Sequence, residues 1–346
     1  MKDYQKYIIP DTSSIKDALI ALYNLPSDVL TLFVLDKNGC MVGTLTDGDI
    51  RRKLIIGVTL DKNVTIAMHR DFHSIENCKA NVQEISKLKE KNIVLLPCLD
   101  EEKKIVRIYN LKKQYSILPI DAVLMAGGKG ERLRPLTEKV PKPLLKVGEK
   151  SIIDYNIDRL ISYGVENISV TVNYLKEQIE EHFKDERDGV QVKCIREPKF
   201  LGTIGSIKFV DSFKNDTVLV MNSDLFTNIN FEDFYLHFLE NDADMSVGAV
   251  PYSVNVPYGI FELDGRDIQG VREKPTYNYY ANAGIYLIKK QLLELIPADT
   301  FYNATDFIEA LVSNKHKVIR FPLTGYWIDI GKHEDYKKAQ ELVKHL

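Results

Sequence analysis

Three closely spaced glycines, Gly127, Gly128 and Gly130, are followed by Arg132, Arg134, Lys139 and Lys142, so exposed backbone N–H groups stand within about one loop of four cationic side chains. Such a set can hold phosphate oxygens and neutralise charge that develops on them. Two carboxylates later in the chain could join it. Asp224 closes the apolar run VLVMNSD, and Asp329 sits in YWIDIG. A carboxylate delivered to the carboxyl edge of a sheet is a reasonable Mg²⁺ ligand, because Mg²⁺ takes one or two protein oxygens alongside phosphates and water. Taken singly, each also reads as an ordinary strand-end or turn residue.

The elements that must position these groups follow from hydrophobic patterning. Residues 122–125 are four apolar residues in a row, a fully buried strand that runs straight into the glycines. Helical spacing over 152–163, an apolar strand at 168–172 and a second helix over 175–183 give an alternating strand–helix order, hence a parallel sheet in an α/β layer architecture. Ligands in such sheets gather at the carboxyl ends of the strands. Two common phosphate loops do not fit. A dinucleotide fingerprint needs a third glycine where Leu133 stands, and a P-loop needs Gly-Lys-Ser/Thr where the chain has Arg132-Leu133-Arg134.

The longer pattern L-x-A-G-G-x-G-x-R-L-x-P-L-T followed by K-P-L-L resembles the signature of the sugar-nucleotide pyrophosphorylases, which join a sugar 1-phosphate to a nucleoside triphosphate. The resemblance implies a Rossmann-like, mixed but mostly parallel sheet of the GT-A-like nucleotidyltransferase type over 121–346. It implies that Ala126, Gly127, Gly128 and Gly130 cradle the nucleotide, that Arg132 and Lys142 are catalytic, and that Asp224 in M-N-x-D and Asp329 in W-x-D-x-G bind Mg²⁺, with Ser223 where glycine is frequent. Glu197 with Gly202 and Thr203 resembles the family's base-reading E-x-x-LGTAGA segment, although Ile204 replaces an alanine. A carboxylate complements guanine, which offers N1–H and N2–H₂ on one edge, so Glu197 favours GTP. Tyr258-Gly259, Glu273-Lys274 and Asn282-Ala283-Gly284 resemble the sugar pocket: Lys274 would meet the sugar phosphate, Glu273 and Asn282 its ring substituents, with Tyr258, Gly259 and Gly284 around them. The run TYNYY between them reads either as a stacking surface or as packing.

The first 115 residues form an α+β region of two related halves, about 1–60 and 61–115, in which the turn-opening Asp36 and Asp100 lie 64 positions apart. Each half is expected to be a helix–strand–strand–helix unit, the first with an Asn38-Gly39 hairpin turn. At G-T-L-T-D-G-D-I-R the first half resembles a CBS domain, which implies an adenine nucleotide held by Thr46 and Asp49. The second half has VRIYNLKK there and lacks both residues. An alternative is that Thr46 and Asp47 only cap a helix and the tandem pair is a spacer or dimerisation module. Residues 116–120 are a short junction. CBS pairs often associate, so a homo-oligomer is expected.

A tandem CBS pair ahead of a short catalytic domain resembles the guanylyltransferases of surface-glycan pathways. It implies GTP and glucosamine 1-phosphate as substrates, then mannose or heptose 1-phosphate with GTP, then glucose 1-phosphate with a uridine or thymidine triphosphate. A reading from another class is a non-catalytic adenine-nucleotide sensor. Net charge is −3, from 46 Lys and Arg against 49 Asp and Glu, which points to neither nucleic acid nor a membrane surface. No apolar stretch suggests a membrane span or leader, and the four cysteines signal neither zinc nor a disulfide framework, so a cytoplasmic protein is expected.

Overall fold

A computed structural model describes residues 4–26, 29–76 and 81–345. They fall into two compact units, the first running to residue 119 and including 161–164, the second made of 120–160 and 165 onward.

The first unit uses one motif twice. Strand β1 (Ile8–Pro10), helix α1 (Ile15–Tyr23), strands β2 (Thr31–Leu35) and β3 (Met41–Thr46) and helix α2 (Asp47–Ile55) form one copy. Strand β4 (Ile75–Glu76), helix α3 (Val82–Glu90) and strands β5 (Leu95–Leu99) and β6 (Ile105–Asn110) form the other. In both, a short first strand runs parallel to the second, which pairs antiparallel with the third. The two ladders slip at Val34/Leu35 and at Cys98/Leu99. Asp36 and Asp100 each accept from the amides two and four residues on, so turn and bulge repeat together at the same offset. Cys40 and Lys104, equivalent in the two copies, pair across an antiparallel bridge, which relates the copies by a local pseudo-twofold.

Three expectations are corrected here. Each copy opens with a parallel strand too short to leave a periodic signal, and the second copy has a turn at 111–113 where the first has α2. Asn38-Gly39 is not a two-residue turn: only Gly39 is left-handed (φ +81°), at the end of a three-residue loop, and Lys103 takes that place in the second copy (φ +61°). Cys98 is disulfide-bonded although the spacing signals no such framework, while Cys40 and Cys194 are free; Cys78 lies outside the described residues.

The second unit holds the larger sheet. Its elements are β7 (Asp121–Ala126), the small pair β8 (Lys146–Val147) and β9 (Lys150–Ser151), α4 (Ile152–Ser162), β10 (Ile168–Val172), α5 (Lys176–His182), β11 (Val192–Arg196), β12 (Thr217–Asn222), β13 (Leu225–Thr227) and α6 (Phe231–Glu240). There follow β14 (Met245–Asn255), β15 (Ile260–Asp264), β16 (Asp267–Arg272), β17 (Thr276–Lys289), α7 (Ala304–Ser313), β18 (Val318–Pro322), β19 (Trp327–Asp329) and α8 (His333–Leu342). Seven strands form one sheet in the order β11-β10-β7-β12-β17-β14-β18. Only β17 runs against the others, so the sheet is mixed and mostly parallel. Strands β7, β10 and β12 are buried on both faces, which is why their sequences are continuous apolar runs rather than alternating ones. Register aligns their carboxyl ends: Ala126 opposite Val172, Met125 opposite Asn222 and Val172 opposite Arg196. No helix among the described residues is long and apolar enough to cross a membrane.

A buried ion cluster ties α4 to the segment after α5. The Asp154 carboxylate accepts from His182 Nε2 at 2.7 Å and from the Arg187 guanidinium, whose Nε also reaches Asp158 at 3.0 Å. Burial alone would push the Asp154 carboxyl up, yet the hydrogen bonds from His182 and Arg187 together hold it at about 2. A depressed carboxyl stabilises the fold above its unfolded pKa and loses that contribution as pH falls towards 2. Asp154→Asn is therefore expected to cost about 2 kcal/mol at neutral pH, with a difference from the parent that vanishes in acid. Urea titrations at several pH values check this.

Candidate functional site

The aligned carboxyl ends of β7, β10, β11 and β12 open onto a cleft of about 650 Å³. The first residues past those strands, Gly127, Asn173, Glu197 and Ser223, all line it. Ala126, Gly128, Gly130, Arg132, Lys142, Gly202, Thr203, Asp224 and Asp329 complete the part of the lining expected from sequence.

Close approach requires glycine at positions 127 and 130, whereas a Cβ on Gly128 would meet nothing within 4 Å. A Cβ on Gly127 would stand 2.4 Å from Glu197 Oε1, so the loop can lie over that carboxylate only without a side chain. Gly130 is left-handed (φ +62°) and packs against the Lys142 stem, while its carbonyl accepts from the Thr137 hydroxyl at 2.8 Å. The loop is thereby folded back onto the lysine.

The two carboxylates are brought together by a strand pairing that no local pattern reveals. Strand β12 stops at Asn222, so Asp224 sits in the turn into β13 rather than at a strand end. Strand β13 pairs antiparallel with β19, Leu225 lies opposite Asp329, and the Ile330 amide donates to the Asp224 carbonyl at 3.2 Å. Lys142, 9% exposed, donates from Nζ to Asp224 Oδ2 and lies 3.9 Å from Asp329 Oδ1. Burial, and then the neighbouring Asp224 charge, push the Asp329 carboxyl above the usual range; Lys142 and Arg132 relieve only part of this. Arg132 is exposed and rests against Gly331, where a Cβ would meet its guanidinium at 3.2 Å.

Asp224 Oδ1 is buried without a hydrogen-bond partner. An orphaned carboxylate oxygen beside a second, charge-stressed carboxylate is a donor set that suits a hard divalent cation such as Mg²⁺. Among the described residues no group of three or more His, Cys, Asp or Glu could hold a metal unaided, so a cation there would need phosphate or water oxygens to complete its shell.

Glu197 is 4% exposed, and burial raises its carboxyl above the usual range despite the nearby Thr171 hydroxyl, Leu201 amide and Ser206 hydroxyl. Its Oε2 has no hydrogen-bond partner. Gly202 is left-handed (φ +79°) with the Tyr302 carbonyl 2.6 Å from where a Cβ would stand. The Thr203 hydroxyl accepts from the Ala304 amide at 2.9 Å and so caps α7.

The residues expected around a sugar divide into two groups. Gly284 packs on the side chain of Asn222, a cleft residue, and its amide donates to Asn282 Oδ1 at 2.9 Å, though neither residue lines the cleft. Tyr258, Gly259, Glu273 and Lys274 lie where the β15–β16 hairpin leaves β14 and β17, exposed and outside the lining. In the first unit, Thr46 and Asp49 close a capping box on α2, and Asp49 Oδ1 is engaged by Arg52 and by His69 Nε2 at 2.8 Å. At 4% exposure Asp49 has neither oxygen free, and the cap is made with Thr46 and Asp49 rather than with Asp47.

Sequence reasoning missed Asn173, Asn222, Phe200 and the role of Gly331. Asn173 was within reach, since it follows the apolar strand 168–172 as Gly127 follows 121–126. Phe200 carries no such signal.

The second unit is similar to known proteins in sequence and in fold. A family model described as Nucleotidyl transferase matches residues 121–345. Mannose-1-phosphate guanyltransferase of Yarrowia lipolytica is 30% identical over 223 residues, 62% of this chain and 61% of that one. Bifunctional protein GlmU of Methanocaldococcus jannaschii is 32% identical over 231 residues, 64% and 54% of the two chains. The chain thus spans between about half and two thirds of the length of these curated relatives. Among solved structures, HddC from Yersinia pseudotuberculosis is 28% identical with a TM-score of 0.52, covering 64% of this chain and 99% of that one. With the match spanning the whole of the second unit's sheet and cleft, this chain belongs to the nucleotidyl transferase family.

Proposed function

We propose that the protein is a sugar-1-phosphate nucleotidyltransferase that makes a nucleotide-sugar and pyrophosphate, with GTP and glucosamine 1-phosphate as its substrates. The observation that carries this reading is Lys142 held between Asp224 and Asp329, with Arg132 beside them, at the mouth of a glycine loop. An oxygen of the sugar 1-phosphate attacks the α-phosphorus, a P–O bond forms, and the bond to the β-phosphate oxygen breaks to release pyrophosphate. No general base is needed, because the attacking phosphate is already ionised. The chain's work is positioning and charge neutralisation. Gly127, Gly128 and Gly130 present backbone donors to the triphosphate, Lys142 offsets charge at the α-phosphate, and Arg132 offsets charge that builds on the leaving group. Mg²⁺ held by Asp224 and Asp329 would supply further neutralisation of the phosphate oxygens.

Glu197 supports guanine: a buried carboxylate with an unfilled acceptor suits a base edge that offers two donors. Glu197→Gln is expected to reduce the preference for GTP over UTP by about 10- to 100-fold in kcat/KM. Because the folded-state carboxyl is raised, its ionised form costs stability above that pKa, so the same variant should melt no lower than the parent at neutral pH. A loss of stability with unchanged base preference would remove Glu197 from recognition.

Asn282 and Gly284, linked to the cleft residue Asn222, are the sugar contacts this reading uses first; Lys274 and Glu273 are assigned to the sugar phosphate and ring by their motif. Residues 1–115 are read as a tandem CBS module, and the assembly as the guanylyltransferase type that serves surface-glycan or nonulosonic acid synthesis, legionaminic acid in particular. With Asp49 already engaged, an adenine nucleotide there must displace His69 or Arg52. Mannose and heptose 1-phosphate with GTP, and glucose 1-phosphate with UTP or dTTP, are the competing substrates. Pyrophosphate release across a grid of four nucleoside triphosphates and these sugar 1-phosphates tests the proposal. The highest kcat/KM is expected for GTP with glucosamine 1-phosphate, and no release with any pair would favour a non-catalytic nucleotide sensor.

A further inference from the structure

One side chain in the cleft has no part in the steps described above. Among the described residues that line it, Phe200 alone is aromatic; apart from Met125, Ala126 and Pro143 the others are glycine, polar or charged. Phe200 stands three residues after Glu197 and two before Gly202, and it is 49% exposed. A phenyl ring left half in water still has apolar area to bury against a ligand.

The ring is braced by its surroundings. Phe301 meets it in a T-shaped contact, centroids 5.8 Å apart and planes at 63°, and Lys199 beside it pairs with Asp299 at 3.2 Å. An edge-to-face contact occupies at most one face of Phe200, so a flat partner can lie on the other. Main-chain bonds fix the segment that carries the ring. The Tyr302 amide donates to the Leu201 carbonyl at 3.0 Å, and the Ile204 and Gly205 amides both donate to the Tyr302 carbonyl at 3.2 Å. Glycine makes this approach possible, because a Cβ on Gly202 or Gly205 would stand 2.6 Å from the Tyr302 carbonyl oxygen or 2.7 Å from that of Thr300. An exposed aromatic ring is thus held on a rigid mount, at no further ordering cost when a ligand arrives.

We propose that Phe200 is the stacking platform for the nucleotide base: the ring takes the face of the base while Glu197 meets its edge. This rests on the nucleotidyltransferase reading of the cleft. Chemistry selects the base over the other parts of the substrates. Phosphates and a divalent cation want charge or N–H donors, which the glycine loop, Lys142, Asp224 and Asp329 supply and a phenyl ring does not. Every base, in contrast, has a π-face for an aromatic ring to cover. Glu197, whose Oε2 has no hydrogen-bond partner, opens the same short segment, so face and edge are offered from one mount.

Calorimetric titration of the full chain with GTP, UTP and inorganic tripolyphosphate, without sugar 1-phosphate, tests this by binding alone. Phe200→Ala is expected to weaken both nucleotides by about 10- to 100-fold, and Phe200→Tyr, which keeps the ring, to stay within about threefold of the parent. Tripolyphosphate has no base, so its affinity should differ by less than about twofold between parent and Phe200→Ala. Unchanged nucleotide affinity in Phe200→Ala overturns the inference. An equal loss for tripolyphosphate does so too, since the ring would then support the loop rather than the base. Should UTP bind more tightly than GTP and still be weakened in the variant, Phe200 keeps its role and only the guanine assignment falls. A parent that binds no nucleoside triphosphate overturns the enzymatic reading and the role of Phe200 together.

Discussion

Arg132→Ala is expected to lower kcat by about 10³-fold while the KM for sugar 1-phosphate moves by less than about threefold. The side chain is exposed, lies in the short helical turn after the glycine loop, and touches Gly331 rather than the core. Its removal opens no cavity, so the melting temperature should hold. Its charge bears on Asp329, which places it at the acidic end of the cleft, where the proposed reaction would build negative charge on pyrophosphate. An effect confined to turnover is the mark of an interaction made in the transition state alone. Equal kcat in parent and variant removes Arg132 from the mechanism.

Lys142→Met should affect both stability and activity. The ammonium is nearly buried, and without it Asp224 and Asp329 stand beside each other with only Arg132 for relief. Breaking a buried pair by removing one partner costs about 3 kcal/mol, because a charge is left uncompensated. The sign with pH follows from the carboxyls. Asp329 is already raised by burial and by Asp224, and losing Lys142 raises it further, so the deficit is full at neutral pH and shrinks as acid protonates the pair. Turnover should fall by at least about 10²-fold. Added Mg²⁺ should raise the melting temperature of the variant more than that of the parent, since the cation takes over the neutralisation the lysine supplied. Melting curves with and without Mg²⁺ read this without any assay of turnover. A variant as stable as the parent at neutral pH would mean that Asp224 and Asp329 need no cation between them.

Local chemistry made much of the fold readable. The apolar runs of β7, β10 and β12 read as buried strands, and the glycine loop as one of close backbone approach, which is made at Gly127 and Gly130. Both expectations hold, as does the mixed, mostly parallel sheet. The repeat in the first unit was also readable from its offset, because Asp36 and Asp100 make the same local turn hydrogen bonds wherever that turn occurs. Its parallel opening strands, two and three residues long, were not, since so few residues carry no periodicity.

Residue types and spacing determined that this chain carries a glycine loop after an apolar strand, a lysine and an arginine downstream of it, and aspartates at the edges of two apolar segments. They also marked β7, β10 and β12 as sheet, though not β11, β14, β17 or β18. What only the tertiary structure decided is where those pieces meet. The pairing of β13 with β19 sets Asp329 against the Asp224 turn across about a hundred residues of chain, and Glu197 lies under Gly127 because β11 is two strands away from β7 in one register-locked sheet. The same long-range assembly left Lys274 outside the cleft, and in the first unit His69, twenty residues on, closes off Asp49. The physical reason is that patterning and turn chemistry are short-ranged, whereas a site depends on strand register and burial, which are settled only when the whole sheet closes its core.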